Sequence, residues 1–208
     1  MGDLYVNDAF GTCHRAHSSI AGINLPTRAA GFLVKKELEA FSKVLENPEK
    51  PLLVILGGAK VKDKIQLIKN LLNRVDKLII TGGMAFTFLK HIYKMEIGKS
   101  IYDEEGGKIV SEIVQMAKEK NVELIFPEDF VVSNEIKEGA ESSIVNLTNG
   151  IPNDLIGVDV GPKSEKKFDE IIKASKTIFL NGSCGIFEME YARKGSIALV
   201  NVLFFIYF

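Results

Sequence analysis

The sequence lacks the features that would place it outside the ordinary globular proteins. Its two cysteines, Cys13 and Cys184, are too few for a disulfide framework in 208 residues. No apolar run approaches the roughly 20 residues of a membrane span, and Asp3 and Asn7 interrupt any signal-peptide-like start. The 26 basic and 27 acidic residues nearly cancel, so no overall field favours nucleic acid or an anionic membrane. We therefore expect a cytoplasmic protein that binds neither.

What is present is an alternation of strand-like and helix-like segments, which is typical of a parallel sheet covered by helices on both faces. Strands are predicted at Leu52–Leu56, Lys77–Ile80, Glu123–Ile125, Leu155–Val158 and Thr177–Leu180. Helices are predicted at Gly31–Asn47, Val61–Asn73, Met84–Tyr93, Glu104–Lys120, Lys163–Ala174 and Ile186–Leu199. Ser143–Leu147 is predicted to be a strand at an antiparallel edge. The fold class is therefore α/β, with a Rossmann-like sheet in a three-layer arrangement.

The segment Gly57–Lys64, GGAKVKDK, carries the clearest chemical signal. It joins a buried strand to a helix start, which is how α/β proteins present backbone N–H groups to a phosphate. Lys60 and Lys64 are four residues apart, so we expect both on the same side of the helix. A helix N-terminus disfavours each cation by about 0.3–1 kcal/mol, and only Asp63 compensates, so a bound anion would reverse the penalty. The alternative is a tight turn with solvated lysines.

Three glycine-bearing turns follow predicted strands, at Gly57-Gly58, Gly82-Gly83 and Asn181-Gly182. The carboxyl ends of parallel strands meet at one edge of the sheet, and ligands bind at that edge in open α/β folds. Glycines there let a flat base and a phosphate chain approach the backbone. Each turn alone could be an ordinary connection, but the three together predict a ligand site.

A second polar cluster lies near the N-terminus, where His14 and Arg15 are followed by His17, Ser18 and Ser19. A metal site is disfavoured because no cysteine or carboxylate joins the histidines at ligand spacing. An arginine beside hydroxyl groups suits a phosphate or a carboxylate, since its planar fork binds such anions through two hydrogen bonds. The alternative is a loop packed by its own hydrogen bonds.

Together these motifs resemble the phosphoglycerate kinase family. The resemblance runs in order from about Leu4 to Leu199, and it rests on YVNDAFGTCHRAHSS at Tyr5–Ser19, AGFLVKKEL at Ala30–Leu38, GGAKVKDK at Gly57–Lys64, TGGMAFTFLK at Thr81–Lys90, DEEGGKIV at Asp103–Val110, GVDVGP at Gly157–Pro162 and NGSCGIFEMEYARKGS at Asn181–Ser196. It implies reversible phosphoryl transfer between 1,3-bisphosphoglycerate and ADP, giving 3-phosphoglycerate and ATP with Mg²⁺ on the nucleotide. It also implies a monomer.

The resemblance assigns roles to individual residues. Lys60 is implied to place positive charge on the transferring group, and Asp63 is a candidate contact to Mg²⁺. His14 and Arg15 match positions of the 3-phosphoglycerate site. The remaining residues are implied to bind the nucleotide: Gly58, Ala59, Lys60 and Lys64 at its phosphates, Gly82, Gly83, Gly157, Ile101 and Ile136 around adenosine, and Asn181 and Glu188 at phosphate or ribose. Glu188 is expected near the start of a helix.

Relative to the family, the chain is expected to be an internal piece with an incomplete sheet. Residues 1–30 would be a remnant of the substrate lobe, 31–47 an interdomain helix, 48–200 the nucleotide-binding domain and 201–208 a divergent apolar tail. The uncharged end, IALVNVLFFIYF, is expected to reflect a truncated or misread gene, with a genuine replacement strand as the alternative. Two departures from the family pattern are Thr81, expected to crowd the base, and Ser183, expected to loosen a turn.

Three functions remain open. The first is the family's kinase reaction, which the missing segments are expected to leave inactive or severely impaired. The second is an adenine-nucleotide-binding module without catalysis. The third is a Rossmann-type oxidoreductase, which is disfavoured because the chain has neither G-x-G-x-x-G nor an acidic ribose ligand at the usual offset. The P-loop pattern G-x-x-x-x-G-K-[ST] is also missing.

Overall fold

The computed structural model describes the backbone of residues 2–207 and the side chains of residues 2–204. The chain divides into two compact units, Met1–Pro48 and Glu49–Phe208. Within the described residues, no helix combines the length and the apolar character needed to cross a bilayer.

The first unit contains a two-stranded parallel sheet and one helix. Strand β1 (Tyr5–Asn7) pairs with β2 (Arg28–Ala30), and a 3₁₀ turn at Phe10–Thr12 lies between them in sequence. Helix α1 (Phe32–Leu45) is the helix predicted at 31–47, and the carboxylate of Asp8 accepts the Val34 N–H at its first turn. The apolar stripe of α1 does not face a core as expected. None of its residues is buried, and Phe32 is 89% exposed.

The second unit alternates strands and helices. In chain order its elements are β3 (Leu52–Leu56), α2 (Ile65–Leu71), β4 (Lys77–Ile80), α3 (Gly83–Tyr93), α4 (Glu104–Glu119), β5 (Glu123–Ile125), β6 (Asp129–Ser133), β7 (Ser142–Asn146), β8 (Ile156–Val160), α5 (Pro162–Lys173), β9 (Thr177–Asn181) and α6 (Lys194–Tyr207), with 3₁₀ turns at Lys62–Lys64 and Glu190–Ala192.

The predicted parallel sheet is confirmed. Its strand order is β5-β4-β3-β9, and every pairing is parallel. Strand β3 lies in the interior of the sheet, and its five residues are all buried, as its continuous apolar run predicts. Helices α5 and α6 pack on one face through a core that includes Phe168, Ile172 and Leu199. Helix α4 packs against both α2 and α3 and contacts β5, and these three helices supply the other helical layer.

The strand predicted at 155–158 was assigned to the wrong sheet. Strand β8 belongs to a separate antiparallel sheet of order β7-β6-β8. Strand β7 is the antiparallel edge strand predicted at 143–147, whereas β6 was missed. The pairing register of β6 with β8 shifts between Val131 and Val132, and such an irregularity bends a strand.

The helix predicted at Ile186–Leu199 is also wrong in its first half. Residues 186–193 form turns instead, in which the N–H groups of Met189 and Ala192 donate three residues back, to the carbonyls of Ile186 and Met189 (3.0 and 3.1 Å). Helix α6 starts at Lys194 and continues through Tyr207. The expected apolar tail is therefore helical rather than a strand over its described part, while residue 208 lies outside the described residues.

Candidate nucleotide-binding site

The loop Gly57–Lys64 follows the carboxyl end of β3, an interior strand of the parallel sheet. The backbone is irregular over residues 57–61 and forms a 3₁₀ turn at Lys62–Lys64 before α2 begins. Lys60 precedes this turn, so the prediction that Lys60 and Lys64 share a helix face by their spacing is wrong. Helix α2 has only seven residues, so its dipole contributes little here.

The three glycine-bearing turns converge, as their positions after neighbouring strands predict. A Cβ on Gly57 would lie 2.0 Å from the carbonyl oxygen of Ser183, and one on Gly82 would lie 2.8 Å from the nitrogen of Gly58. The backbones are also joined by a hydrogen bond from the Gly57 N–H to the Asn181 carbonyl (2.9 Å). Side chains would separate the three turns, so glycine is required for this close approach.

Several backbone donors in this loop are available to a ligand. Among residues 2–207, the N–H groups of Gly58, Ala59 and Lys60 donate to no protein acceptor. Ala59 and Lys60 are exposed and Gly58 is half-buried, with φ at +142°. Consecutive unpaired N–H groups in an irregular loop are the usual backbone arrangement for binding an anion.

The N-terminus of α3 adds to the positive potential of this loop. A Cβ on Gly83, the first residue of this eleven-residue helix, would lie 3.2 Å from the Cα of Ala59. The Met84 N–H donates to the Gly58 carbonyl (2.8 Å), which fixes the helix end against the loop. The macrodipole of α3 therefore favours an anion beside Ala59.

Two lysines of the loop make different contacts. The Lys64 ammonium donates to the side-chain oxygen of Asn181, and its stem lies over Gly58, where a Cβ would be 3.1 Å from Cε. Lys60 is exposed at the other end of the free N–H groups, on the side of Asp103, whose carboxylate it influences electrostatically. Positive charge thus lies at both ends of the row of unpaired donors.

The predicted adenosine residues Gly157 and Ile101 lie beside α3. A Cβ on Gly157 would lie 2.2 Å from the ring of Phe86, which is in the first turn of α3. The Gly157 N–H donates to the Ser100 hydroxyl (2.8 Å). This bond brings Ile101, the residue after Ser100, near Gly157, and the Ile101 side chain is 47% exposed. These contacts connect Gly157 with Gly83 along a single helical turn.

The remaining two predicted nucleotide residues lie on segments that contact each other. Ile136 lies in the connection between β6 and β7 and is 49% exposed. The Tyr191 hydroxyl donates to the Glu135 carbonyl (3.1 Å), which brings the segment containing Glu188 to this connection. Glu188 is exposed but lies in a turn, so its expected position at the start of a helix is wrong.

Thr81 does not have the position expected from its sequence context. Its side chain is fully buried and its hydroxyl oxygen has no hydrogen-bond partner within the described residues. A buried side chain on this strand end cannot crowd a base at the exposed edge, so that expectation is wrong.

Burial raises the pKa of the neighbouring Cys184 thiol to about 12, which leaves it protonated and unreactive.

The predicted metal and substrate residues are exposed. The Asp63 carboxylate makes no hydrogen bond within the described side chains, and no group of three or more histidine, cysteine or acidic side chains among residues 2–204 has a metal-binding arrangement. His14 and Arg15 lie in the first unit with exposed side chains, in a loop closed by its own hydrogen bonds, including Arg15 N–H to the Thr12 carbonyl (2.9 Å).

Sequence reasoning missed three residues that shape the site: Asp103, Ser100 and Phe86. Asp103 had a recognisable signal, because an aspartate before Glu104 and Glu105 and an apolar helical pattern is typical of a helix N-cap. The contacts of Ser100 and Phe86 with Gly157 had no such signal, since they join residues 57 and 71 positions apart in the chain.

Comparison with known proteins identifies the relatives of the chain. The family model for phosphoglycerate kinase matches residues 1–204, which includes part of the expected divergent tail. Phosphoglycerate kinase from Plasmodium falciparum is 53% identical over 203 residues, and human phosphoglycerate kinase 1 is 52% identical over 201. These matches cover 98% and 97% of this chain but 49% and 48% of those proteins.

Solved structures lead to the same family. Phosphoglycerate kinase from Coxiella burnetii superposes with a TM-score of 0.89 at 38% identity, covering 98% of this chain and 52% of that one. The enzyme from Pyrococcus horikoshii gives a TM-score of 0.79 at 27% identity, covering 96% and 51%. The chain thus spans about half the length of the relatives that it matches.

Proposed function

The chain belongs to the phosphoglycerate kinase family, and from this premise we propose that it carries the nucleotide site for phosphoryl transfer between 1,3-bisphosphoglycerate and ADP. The observation that carries the proposal is the row of unpaired N–H groups at Gly58, Ala59 and Lys60, flanked by two lysines at the carboxyl edge of a parallel sheet. Phosphoryl transfer depends on alignment and positive charge rather than on a covalent protein intermediate, and this arrangement offers both.

In the proposed complex, the phosphate oxygens of ADP accept hydrogen bonds from the free N–H groups of Gly58 and Ala59. Lys64 binds the same phosphates, and Asn181 acts by holding the Lys64 ammonium, since its amide oxygen accepts from that group. Lys60 is exposed and free to reach the transferring phosphoryl group, whose charge it would stabilise. Asn181 is thereby a positioning residue in addition to its implied contact with the nucleotide.

The adenosine part is proposed to lie along the first turn of α3. Gly82 and Gly83 let the base approach the backbone, Gly157 leaves space beside Phe86, and Ile101 and Ile136 offer apolar surface. Glu188 would accept from ribose hydroxyls, because it is exposed and its segment is tied to the connection containing Ile136. Burying the exposed apolar surface of the two isoleucines contributes to base binding.

Magnesium is proposed to bind mainly to the nucleotide phosphates, with Asp63 as a protein carboxylate within the same loop. Mg²⁺ prefers oxygen ligands and keeps several of its waters, so one protein carboxylate is enough to complete its coordination on the phosphates. When bound, the ion would neutralise charge on the transferring phosphoryl group.

The substrate side is proposed to involve His14 and Arg15, with the Arg15 guanidinium binding the phosphate or carboxylate of 3-phosphoglycerate. A monomeric state and a cytoplasmic location are further proposals that rest on the family resemblance. These 208 residues span about half of their relatives, and we propose that by themselves they bind nucleotide but turn over slowly or not at all. Each group that stabilises transition-state charge in the whole protein and lies outside these residues would cost them about 10²–10³-fold in rate.

Calorimetric titration of the 208-residue chain with ADP and Mg²⁺ tests the proposal. Lys64→Ala is expected to weaken ADP binding by about tenfold or more, because a charge-assisted contact to phosphate is lost. Lys60→Ala should weaken it less, and Lys118→Ala, at an exposed position of α4, should leave affinity unchanged. If the wild-type chain binds NAD but not ADP, the assignment is wrong.

A coupled assay distinguishes the two nucleotide-binding alternatives. ADP binding together with measurable ATP formation from 1,3-bisphosphoglycerate supports a residual kinase. ADP binding with no turnover supports a non-catalytic nucleotide-binding module.

A further inference from the structure

Asp103 connects three elements around the phosphate loop. It precedes α4 and is 6% exposed. One carboxylate oxygen accepts the Gly106 N–H (3.0 Å), which caps the helix, and the other accepts the Lys62 N–H (2.8 Å) from the loop. Its own N–H donates to the Thr87 hydroxyl in α3 (3.0 Å). Only one of these three bonds is needed to cap a helix.

The bond to Lys62 fixes one end of the row of free donors. The Gly57 N–H is held by the Asn181 carbonyl at the other end. Between these anchors, Gly58, Ala59 and Lys60 use none of their N–H groups within the described part of the chain. The Met84 N–H also holds the Gly58 carbonyl (2.8 Å), and the Lys64 N–H donates to the Val61 carbonyl (2.9 Å), but the bond to Lys62 is the one that ties the Lys60 end of the row to α4.

The side chains around Asp103 support the same role. Val61 is fully buried, and a Cβ on Gly106 would lie 2.6 Å from the Cβ of Val61, so α4 and the loop are in close contact. Burial by itself would raise the pKa of Asp103, but the N–H groups of Lys62 and Gly106 and the charges of Lys62 and Lys60 hold it below its ordinary value. The carboxylate is therefore ionised where it faces the loop.

We propose that Asp103 is a positioning residue, which holds Lys62 so that the preceding N–H groups converge on the phosphates of a nucleoside diphosphate. The inference rests on the proposed function and extends it to a residue that would not touch the ligand. Capping alone would make Asp103 important for stability. Positioning makes it important for phosphate affinity at unchanged stability.

Asp103→Ser separates the two roles. Serine is among the best N-cap residues, so its hydroxyl can replace the bond to Gly106, but it is too short to reach the Lys62 N–H at the same time. We expect the serine variant to retain the thermal midpoint within a few degrees and to bind ADP about tenfold more weakly, as expected for one lost charge-assisted anchor. Its affinity for adenosine, which has no phosphate, should be unchanged.

Asp129→Asn is the matched control. Asp129 is also buried, and its carboxylate holds the N–H groups of Lys163 and Ser164 at the start of α5 (3.0 and 2.8 Å), away from the loop. This variant should lose stability without changing ADP affinity while it is folded. If Asp103→Ser binds ADP as wild type does, or loses ADP and adenosine affinity equally, the positioning role is refuted.

Two further outcomes are distinguishable. A wild-type chain that fails to bind ADP contradicts the proposed function itself, whereas a wild-type chain that binds and a serine variant that binds equally contradicts only the role of Asp103. Should the serine variant not fold, Asp103→Asn makes the same comparison, because its amide can accept at only one oxygen. Equal ADP affinity in a folded asparagine variant whose Lys62 amide has lost its protection against hydrogen exchange would likewise refute the inference.

Discussion

The buried carboxylate of Asp159 should make the protein less stable at neutral pH than in mild acid. Asp159 lies in β8 and is 3% exposed. Within the described residues, its oxygens accept hydrogen bonds only from backbone N–H groups, those of Val160 (2.9 Å) and Gly195 (2.8 Å). The pKa of Asp159 is raised from 3.8 to about 6, and burial is the largest cause. The two N–H groups oppose this rise in part, and the charge of Glu165 adds to it.

The direction of the effect follows from proton binding. Between pH 3.8 and about 6, the folded chain holds a proton on Asp159 that the unfolded chain has released. Stability therefore falls as pH rises through this range and is constant above it. The difference of about 2 pKa units, at 1.36 kcal/mol for each, corresponds to about 3 kcal/mol. The pKa of Glu165 is also raised, by burial and then by Asp129, so it adds to the same slope.

Urea unfolding at a series of pH values between 4.5 and 7.5, followed by circular dichroism, measures this slope. Asp159→Asn cannot ionise, so the fall in unfolding free energy between pH 4.5 and 7 should shrink by about 2 kcal/mol, leaving the part due to Glu165; the rest of the ~3 kcal/mol is already lost below pH 4.5. The comparison depends on slopes, so it is insensitive to any constant cost of the asparagine amide.

Asp76→Asn is the control of opposite sign. Burial alone would raise the pKa of Asp76, but the Lys50 ammonium and the Leu52 N–H hold it below 3.8. The stability that Asp76 adds is present above pH 3.8 and is lost below it, so its variant should keep the wild-type slope between pH 5 and 7. Equal slopes in wild type and Asp159→Asn would refute the reasoning for Asp159.

Two other predictions follow from the packing of the site and of the core. Gly57→Ala should lower the unfolding free energy by at least about 2 kcal/mol, because its Cβ would meet the Ser183 carbonyl at 2.0 Å, while Gly11→Ala, with nothing within 4 Å, should be near neutral; similar urea midpoints would contradict this. Cys184, which is buried with a pKa of about 12, should resist iodoacetamide in the folded protein at pH 8, whereas the exposed Cys13 should be alkylated; mass spectrometry showing two modified thiols before unfolding would contradict this.

Much of the second unit was predictable because its signals are local. The apolar run Leu52–Leu56 is a strand with every side chain buried, and Lys77–Ile80 and Glu123–Ile125 have the predicted bounds. A continuous apolar run reports burial on both faces directly. The convergence of the glycine turns after β3, β4 and β9 was also predictable, because parallel strands place their carboxyl ends at one edge.

Sheet membership was not predictable in the same way. A short, mostly apolar segment such as residues 155–158 indicates burial, but it does not say which strand will pair with it. The pairing of β8 with β6 is decided by hydrogen bonds between segments more than 20 residues apart, such as the register of Phe130 with Val160. The helix predicted from Ile186 begins only at Lys194, and the Ile186 N–H donates across the fold to the Val158 carbonyl of β8, a contact that no local pattern shows.

The sequence by itself determined which residues have the chemistry for an anion site: the glycines, Lys60 and Lys64 in one loop after a buried strand. Only the tertiary structure decided how they are held. The partner of Lys64 is Asn181, 117 residues away, and the partner of Lys62 is Asp103, 41 residues away. The residue types and their spacing determine local conformation. A hydrogen bond across the fold depends instead on how separate elements pack against each other, and no local sequence pattern contains that information.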